Sequence, residues 1–195
     1  MAYKVLNNIS LKDVASSGLL KLKTDILVIV INKDTKNDPS FKELNISSKN
    51  YISKTIKSHL EDSGSSVLLP KIDGIDANNI LLVKGLGKKE PTHKWLSLYQ
   101  SIAHKGNALG LGDMSVMPGT STPEGKDEFW LIEMVSKIIE SNVYIFSQTK
   151  NKTVKKPSVK RLTLLTSGLS NSDLSKAKKA AKKGYAIGEG VNTAK

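Results

Sequence analysis

Along the chain, the first unbroken apolar run is Ile26 to Ile31, ILVIVI. Six consecutive β-branched and aliphatic residues predict a strand buried on both faces, as in a parallel sheet covered by helices. A helix is predicted over Ser48–Leu60, with Tyr51, Ile52, Thr55, Ile56 and His59 on one face and lysines on the other. Two short strands follow, Ser65–Pro70 and Asn79–Lys84, separated by the turn-rich KIDGIDAN. Pro91–Leu109 reads as a helix with proline in its first turn, and Asp113–Met117 as a weak strand. Phe129, Ile132, Val135, Ile139 and Val143 then recur at helical spacing, behind acids that suit a helix start. Residues 147–160 are polar enough for a loop, and Arg161–Thr166, RLTLLT, forms a further strand. Asn171 or Ser172 is placed to cap a last helix that runs on to Lys195.

Strands alternating with helices predict an α/β fold: a mixed, mainly parallel sheet with helices on both faces. At 195 residues the chain fits one domain plus a connecting element. The division expected is an α/β domain over residues 1–168 and a terminal helix over 169–195. That helix is unusual in composition. Ala177, Ala180, Gly184, Ile187, Val191 and Ala194 fall at successive gaps of three or four, a narrow stripe of mostly small residues. Glycines at 184, 188 and 190 each cost about 1 kcal/mol against alanine in a helix interior. Such a helix needs close packing against another backbone to form.

Charge changes the picture only at one end. The formal net charge is +12, and residues 150–195 hold 12 Lys/Arg against Asp173 and Glu189. Lys176, Lys179 and Lys183 share a helix face, and Lys152, Lys155 and Lys156 precede them on the loop. These six are a candidate surface for nucleic acid or an acidic partner, or else a solvated lysine face. Arg161 is the sole arginine, so any such contact would be to phosphates rather than base edges. The absence of cysteine excludes disulfides and thiolate metal sites, and fits a reducing compartment. No apolar signal core and no run of membrane-spanning length occurs, so a cytoplasmic protein without a membrane partner is expected.

Catalytic patterns are missing. His59, His93 and His104 lack the spacing of a zinc helix, and no GxSxG elbow surrounds a serine. Asp73 and Asp76 lack the rest of a calcium loop and read as a turn. The most suggestive loop is ILLVKGLGKKE, where a strand runs into Gly85-Leu86-Gly87 and two lysines. Gly85, Gly87 and Lys88 are candidates to meet a phosphate through backbone amides and charge. The loop matches neither a P-loop nor GxGxxG, position 90 being Glu90. The alternative is a tight turn in which glycine lets the chain approach its neighbours.

Taken in order, these segments resemble a known family. ILLVKGLGKKE is similar to the strand and Gly-x-Gly-Lys turn in the N-terminal domain of the leucyl (cytosol) aminopeptidases. Lys84 departs from the apolar residue usual there. ESNVYIFSQTKNK resembles that family's helix ending in Tyr-x-Phe and its lysine-rich sequel, and RLTLLT matches the next strand. KKGYAIGEGVNTAK looks like its small-residue linker helix. The resemblance implies a macro-domain-like fold, followed by a linker helix toward a C-terminal catalytic domain that this chain lacks. It implies a parent metalloaminopeptidase whose two divalent metals, zinc or manganese, lie in that absent domain. No catalytic residue, metal ligand or cofactor is then expected here, and the chain alone should be inactive. The implied partners are the parent's own catalytic domain, a homo-hexamer and, as in some bacterial members, DNA. The macro-domain kinship also implies ADP-ribose or another nucleotide as a third reading, with Gly85 and Gly87 the first places to look.

Overall fold

The run Ile26–Ile31 becomes an inner strand of a six-stranded sheet in a computed structural model that describes residues 6, 8–14, 18–61, 65–144 and 158–194. The strands are β1 (Asn8–Asp13), β2 (Ile26–Ile31), β3 (Ser66–Leu69), β4 (Ile80–Lys84), β5 (Asp113–Met117) and β6 (Arg161–Thr166). They lie in the order β1-β6-β5-β2-β4-β3, with every adjacent pair parallel except antiparallel β3–β4. Helices cover both faces, as the alternation predicts. Helix α1 (Pro39–Ser47) and helix α2 (Tyr51–Thr55, continued by wider π turns over Ile56–Glu61) pack on one face through Phe41, Leu44, Ile52 and Leu60. Helices α3 (Thr92–Ala108), α4 (Glu128–Val143) and α5 (Asn171–Thr193) cover the other through Tyr99, Ile102, Val135, Ile139 and Ala177. Strand β2 feeds both cores: Ile26, Val28 and Val30 point to one, Leu27, Ile29 and Ile31 to the other. That is why its apolar run has no polar interruption.

Three elements differ from the sequence reading. Strand β1 pairs with β6 from Asn8↔Arg161 to Asp13↔Thr166, yet its only apolar side chains are Ile9 and Leu11. It is an edge strand, partly solvated on both faces, so its sequence carries almost no strand pattern. The helix expected over Ser48–Leu60 is found at 51–61, but it is preceded by a helix the sequence reading left out, α1. Asp38 caps α1 by accepting from the amides of Ser40 (2.8 Å) and Phe41 (3.2 Å). Lys49 and Asn50 then take left-handed φ values of 51° and 61° and break the helix before Tyr51. Tyr51 is 49% exposed and His59 faces solvent, while the wider π turns bring Leu60 into the core.

The third correction concerns α5. Its cap is Ser170, whose Oγ accepts from the Asp173 amide (3.1 Å) and donates to Asp173 Oδ2 (2.8 Å). The buried stripe is Ala177, Ala181, Gly184, Gly188 and Asn192. Ile187 and Val191, expected on the packing face, are each 37% exposed. The reason is the closeness of α4. A Cβ on Gly184 would lie 2.0 Å from the carbonyl oxygen of Glu133, and one on Gly188 would lie 2.8 Å from Glu140 Cβ. Only glycine fits, so the two glycines set which face turns inward. Asn192 closes the seam, donating to the Glu140 backbone oxygen at 3.1 Å and to Oε1 at 3.3 Å. Among the described residues no helix is long and apolar enough to cross a membrane.

Candidate functional site

Strands β2 and β4 run parallel and side by side, but the chain leaves them toward opposite faces. After β2 it passes a 3-10 turn (Thr35–Asn37) into α1; after β4 it passes Gly85–Gly87 and reaches α3 on the other face. Divergent connections of this kind leave a crevice beyond the carboxyl ends of the strands, where open α/β sheets bind ligands. Here the crevice encloses about 790 Å³, within the range of small-molecule sites. Lys33, Lys36, Lys84 and Lys88 line it against Asp34 and Glu61, with Ile31, Ile56, Leu60 and Leu86 as its apolar part.

The Gly-Leu-Gly turn shapes one wall. The amide of Gly85 donates to the Ile31 carbonyl at 2.7 Å, and a Cβ on Gly85 would lie 2.8 Å from that oxygen. Gly85 is therefore a close-approach glycine. Gly87 is different, because nothing lies within 4 Å of where its Cβ would be. Among the described residues, the amides of Leu86, Gly87 and Lys88 have no hydrogen-bond partner. Behind this wall, α3 is tied to the segment that follows β5. Tyr99 of α3 is fully buried, and its hydroxyl donates to the Pro118 carbonyl at 2.7 Å. Burial pushes that phenol well above its ordinary pKa, so it stays a donor.

The opposite wall follows β2. Asn32 Oδ1 accepts from the Thr35 amide (3.1 Å) and hydroxyl (2.7 Å), which fixes the side chain. Its Nδ2 is shielded from solvent, lies 3.0 Å from where a Cβ on Gly119 would stand, and has no hydrogen-bond partner among the described residues. Lys36 Nζ meets Glu61 Oε1 at 2.5 Å. The Glu61 carboxyl is held below its ordinary value, first by that hydrogen bond and then by the Lys36 charge.

Of the residues singled out from sequence, Gly85, Gly87 and Lys88 come together on this crevice. Asn32, Lys36 and Glu61 were not singled out. The signal that points to the first two is positional: VINKDTKN follows a doubly buried parallel strand, and such strands end at the ligand edge. Lys84, a departure from the family pattern, stands inside the crevice. The basic surface is less coherent. Lys176 pairs with Asp173 at 3.0 Å and lies over the Phe129 ring, and Lys183 pairs with Glu133 at 3.0 Å. Lys179 is exposed on the same helix. Lys152, Lys155 and Lys156 lie outside the described residues. Asp73 sits on a turn with Gly74 at φ +82°, and Asp76 follows it, its amide donating to the Leu20 carbonyl at 2.7 Å. His59, His93 and His104 are all exposed, and among the described residues no three His, Asp or Glu side chains are grouped to hold a metal ion.

Comparison with known proteins agrees with this architecture. The family described as "Cytosol aminopeptidase family, N-terminal domain" matches residues 27–153. A probable cytosol aminopeptidase of Nitrosomonas eutropha is 26% identical over 188 residues, covering 93% of this chain and 37% of the relative. The cytosol aminopeptidase of Haemophilus influenzae is 25% identical over 186 residues, covering 93% and 36%. The chain thus spans about a third of the length of the curated relatives it matches. Among solved structures, a mutant of tomato leucine aminopeptidase superposes with a TM-score of 0.62 at 19% identity, over 90% of this chain and 36% of that one. A Trypanosoma brucei macrodomain in complex with ADP superposes at 0.56 and 10% identity, over 88% and 68%. At such low identities these superpositions show a shared fold and nothing further.

Proposed function

The chain belongs to the cytosol aminopeptidase family through that family's N-terminal domain, and on this premise we propose that it is the non-catalytic front part of a cytosolic metalloaminopeptidase. The observation that carries the reading is the family match over residues 27–153 in a chain that covers only about a third of its relatives. In this reading residues 1–168 form the α/β domain, and the helix from 169 onward links it to a catalytic half that supplies two divalent metals. The domain then serves assembly, as the outer part of a homo-hexamer, or regulation. No step of peptide hydrolysis is assigned to residues of this chain.

Two measurements test it. The 195-residue chain should not hydrolyse leucine p-nitroanilide with added manganese or zinc, and metal-dependent turnover free of contaminating peptidase would overturn the non-catalytic assignment. Antibody to the chain should detect a native protein well above 21.2 kDa. A native species of that mass alone would overturn the two-part reading.

The crevice favours a second reading, in which the domain binds a phosphate-bearing small molecule, a nucleotide such as ADP being the candidate. Its support is the lysine-lined cavity with free amides at the Gly-Leu-Gly turn, on a fold shared with a macrodomain solved in complex with ADP. Calorimetry with ADP decides it: heat that saturates is expected, and none at millimolar ligand would overturn it. The nucleic-acid reading rests on the lysine excess of residues 150–195 alone, and two of its helix lysines are already paired within the domain.

A further inference from the structure

Inside the crevice, one acidic residue reaches across from a third element. Glu61 ends the π turns after α2. Its carboxylate accepts from Lys36 Nζ at 2.5 Å, and its backbone carbonyl accepts from Lys84 Nζ at 3.4 Å. Lys36 belongs to the turn after β2, and Lys84 ends β4. Cations from both diverging strands therefore meet on one residue that belongs to neither. Of the four crevice lysines, Lys36 is held by the Glu61 carboxylate and Lys84 by the same residue's backbone carbonyl, while Lys33 and Lys88 line the same cavity.

The pair is half exposed, with 47% and 49% of the two side chains open to solvent. Ion pairs so placed are weak and readily exchanged. A phosphate group offers Lys36 more charge and more acceptor oxygens than a carboxylate does. It can also reach the amides of Leu86, Gly87 and Lys88, none of which Glu61 engages. A ligand with a single negative charge has no such advantage over the carboxylate it must replace.

Resting on the reading of the crevice as a phosphate site, we propose that Glu61 is a built-in occupant of that site. A ligand carrying two or more negative charges, a diphosphate above all, displaces the Glu61 carboxylate from Lys36 and takes over Lys36, Lys84 and Lys88. Glu61 thereby selects against monoanions, and sets the charge a ligand needs to enter.

The test is a calorimetric titration of the whole chain at low ionic strength, with inorganic pyrophosphate and dimethyl phosphate as dianion-or-higher and monoanion probes. Wild type should bind pyrophosphate and not dimethyl phosphate. Glu61→Gln, which keeps the size and the carbonyl contact, should bind pyrophosphate about two- to five-fold tighter and should admit dimethyl phosphate. Adding Lys36→Met should abolish that gain. A gain that persists without Lys36 would place the anion elsewhere and overturn the proposal. Unchanged pyrophosphate affinity in Glu61→Gln, with a lowered Tm, would make the ion pair purely structural; it would overturn this inference and leave the crevice reading standing. Failure of both proteins to bind pyrophosphate would overturn the crevice reading and the role of Glu61 with it.

Discussion

The α4–α5 seam and the β2–β4 crevice both depend on closely spaced glycines, and they use them in opposite ways. At the seam, the space where a side chain would stand is filled by α4, 2.0 Å from the imagined Cβ of Gly184. The glycines there convert poor helix propensity into a close helix contact. At the crevice the pair is split. Gly85 presses on the end of β2, while Gly87 faces open space between unpaired amides and lysines. One region is packed so tightly that any added atom strains it. The other is left open beside a turn whose Gly85 amide is tied to the end of β2. Spacing between glycines does not distinguish closure from access; what stands opposite them does.

The contrast can be broken most severely at the seam. Gly184→Val should push α5 off α4 and destabilise the chain by about 3 kcal/mol, as overpacked cores do, measured by urea unfolding. A change under 0.5 kcal/mol would mean that the helices are not in contact at that point. A smaller effect tests how α5 is started. Ser170→Ala removes the cap on the Asp173 amide and should cost about 1 kcal/mol. The smallest is Gly87→Ala, where a methyl group meets nothing within 4 Å and φ is ordinary. Stability should shift by no more than about 0.5 kcal/mol, while pyrophosphate or ADP binding weakens because the methyl intrudes on the amide face. Equal destabilisation by the alanine at 87 and the valine at 184 would erase the distinction between the two regions.

Asp173 adds a pH dependence to the seam's first turn. Hydrogen bonds from Lys176 and then Ser170 hold its carboxyl below the ordinary value of 3.8. A depressed carboxylate contributes stability above its unfolded pKa and loses it as pH falls through the folded one. Ser170→Ala should therefore flatten the acid limb of the unfolding profile below about pH 4, read by circular dichroism.

Strand β2 was the most legible element, because burial on two faces leaves an unbroken apolar run. Ile26–Ile31, Asp113–Met117 and Arg161–Thr166 form strands with the expected limits, and the apolar residues predicted for α4 line its buried face. Strand β1 was illegible because NISLKD gains its strand character from pairing with β6, not from its side chains. Helix α1 was illegible because only Phe41 and Leu44 among its residues give it a buried apolar face. Of the crevice, the Gly-Leu-Gly turn was visible and its partners were not. Asn32, Lys36 and Glu61 are ordinary polar residues in sequence, brought to one cavity by two connections that leave the sheet on opposite sides.

The sequence by itself determined the layers: that β2 is doubly buried, that helices alternate with strands, and that the last helix must pack closely or not form. These follow from local periodicity and propensity, which short segments carry within themselves. Only the tertiary structure decided which face of α5 turns inward, which glycine opens and which closes, and which charges meet in the crevice. Those outcomes depend on residues distant in the chain, such as Glu133 opposite Gly184 and Glu61 opposite Lys36. No local pattern records a neighbour that folding has yet to supply.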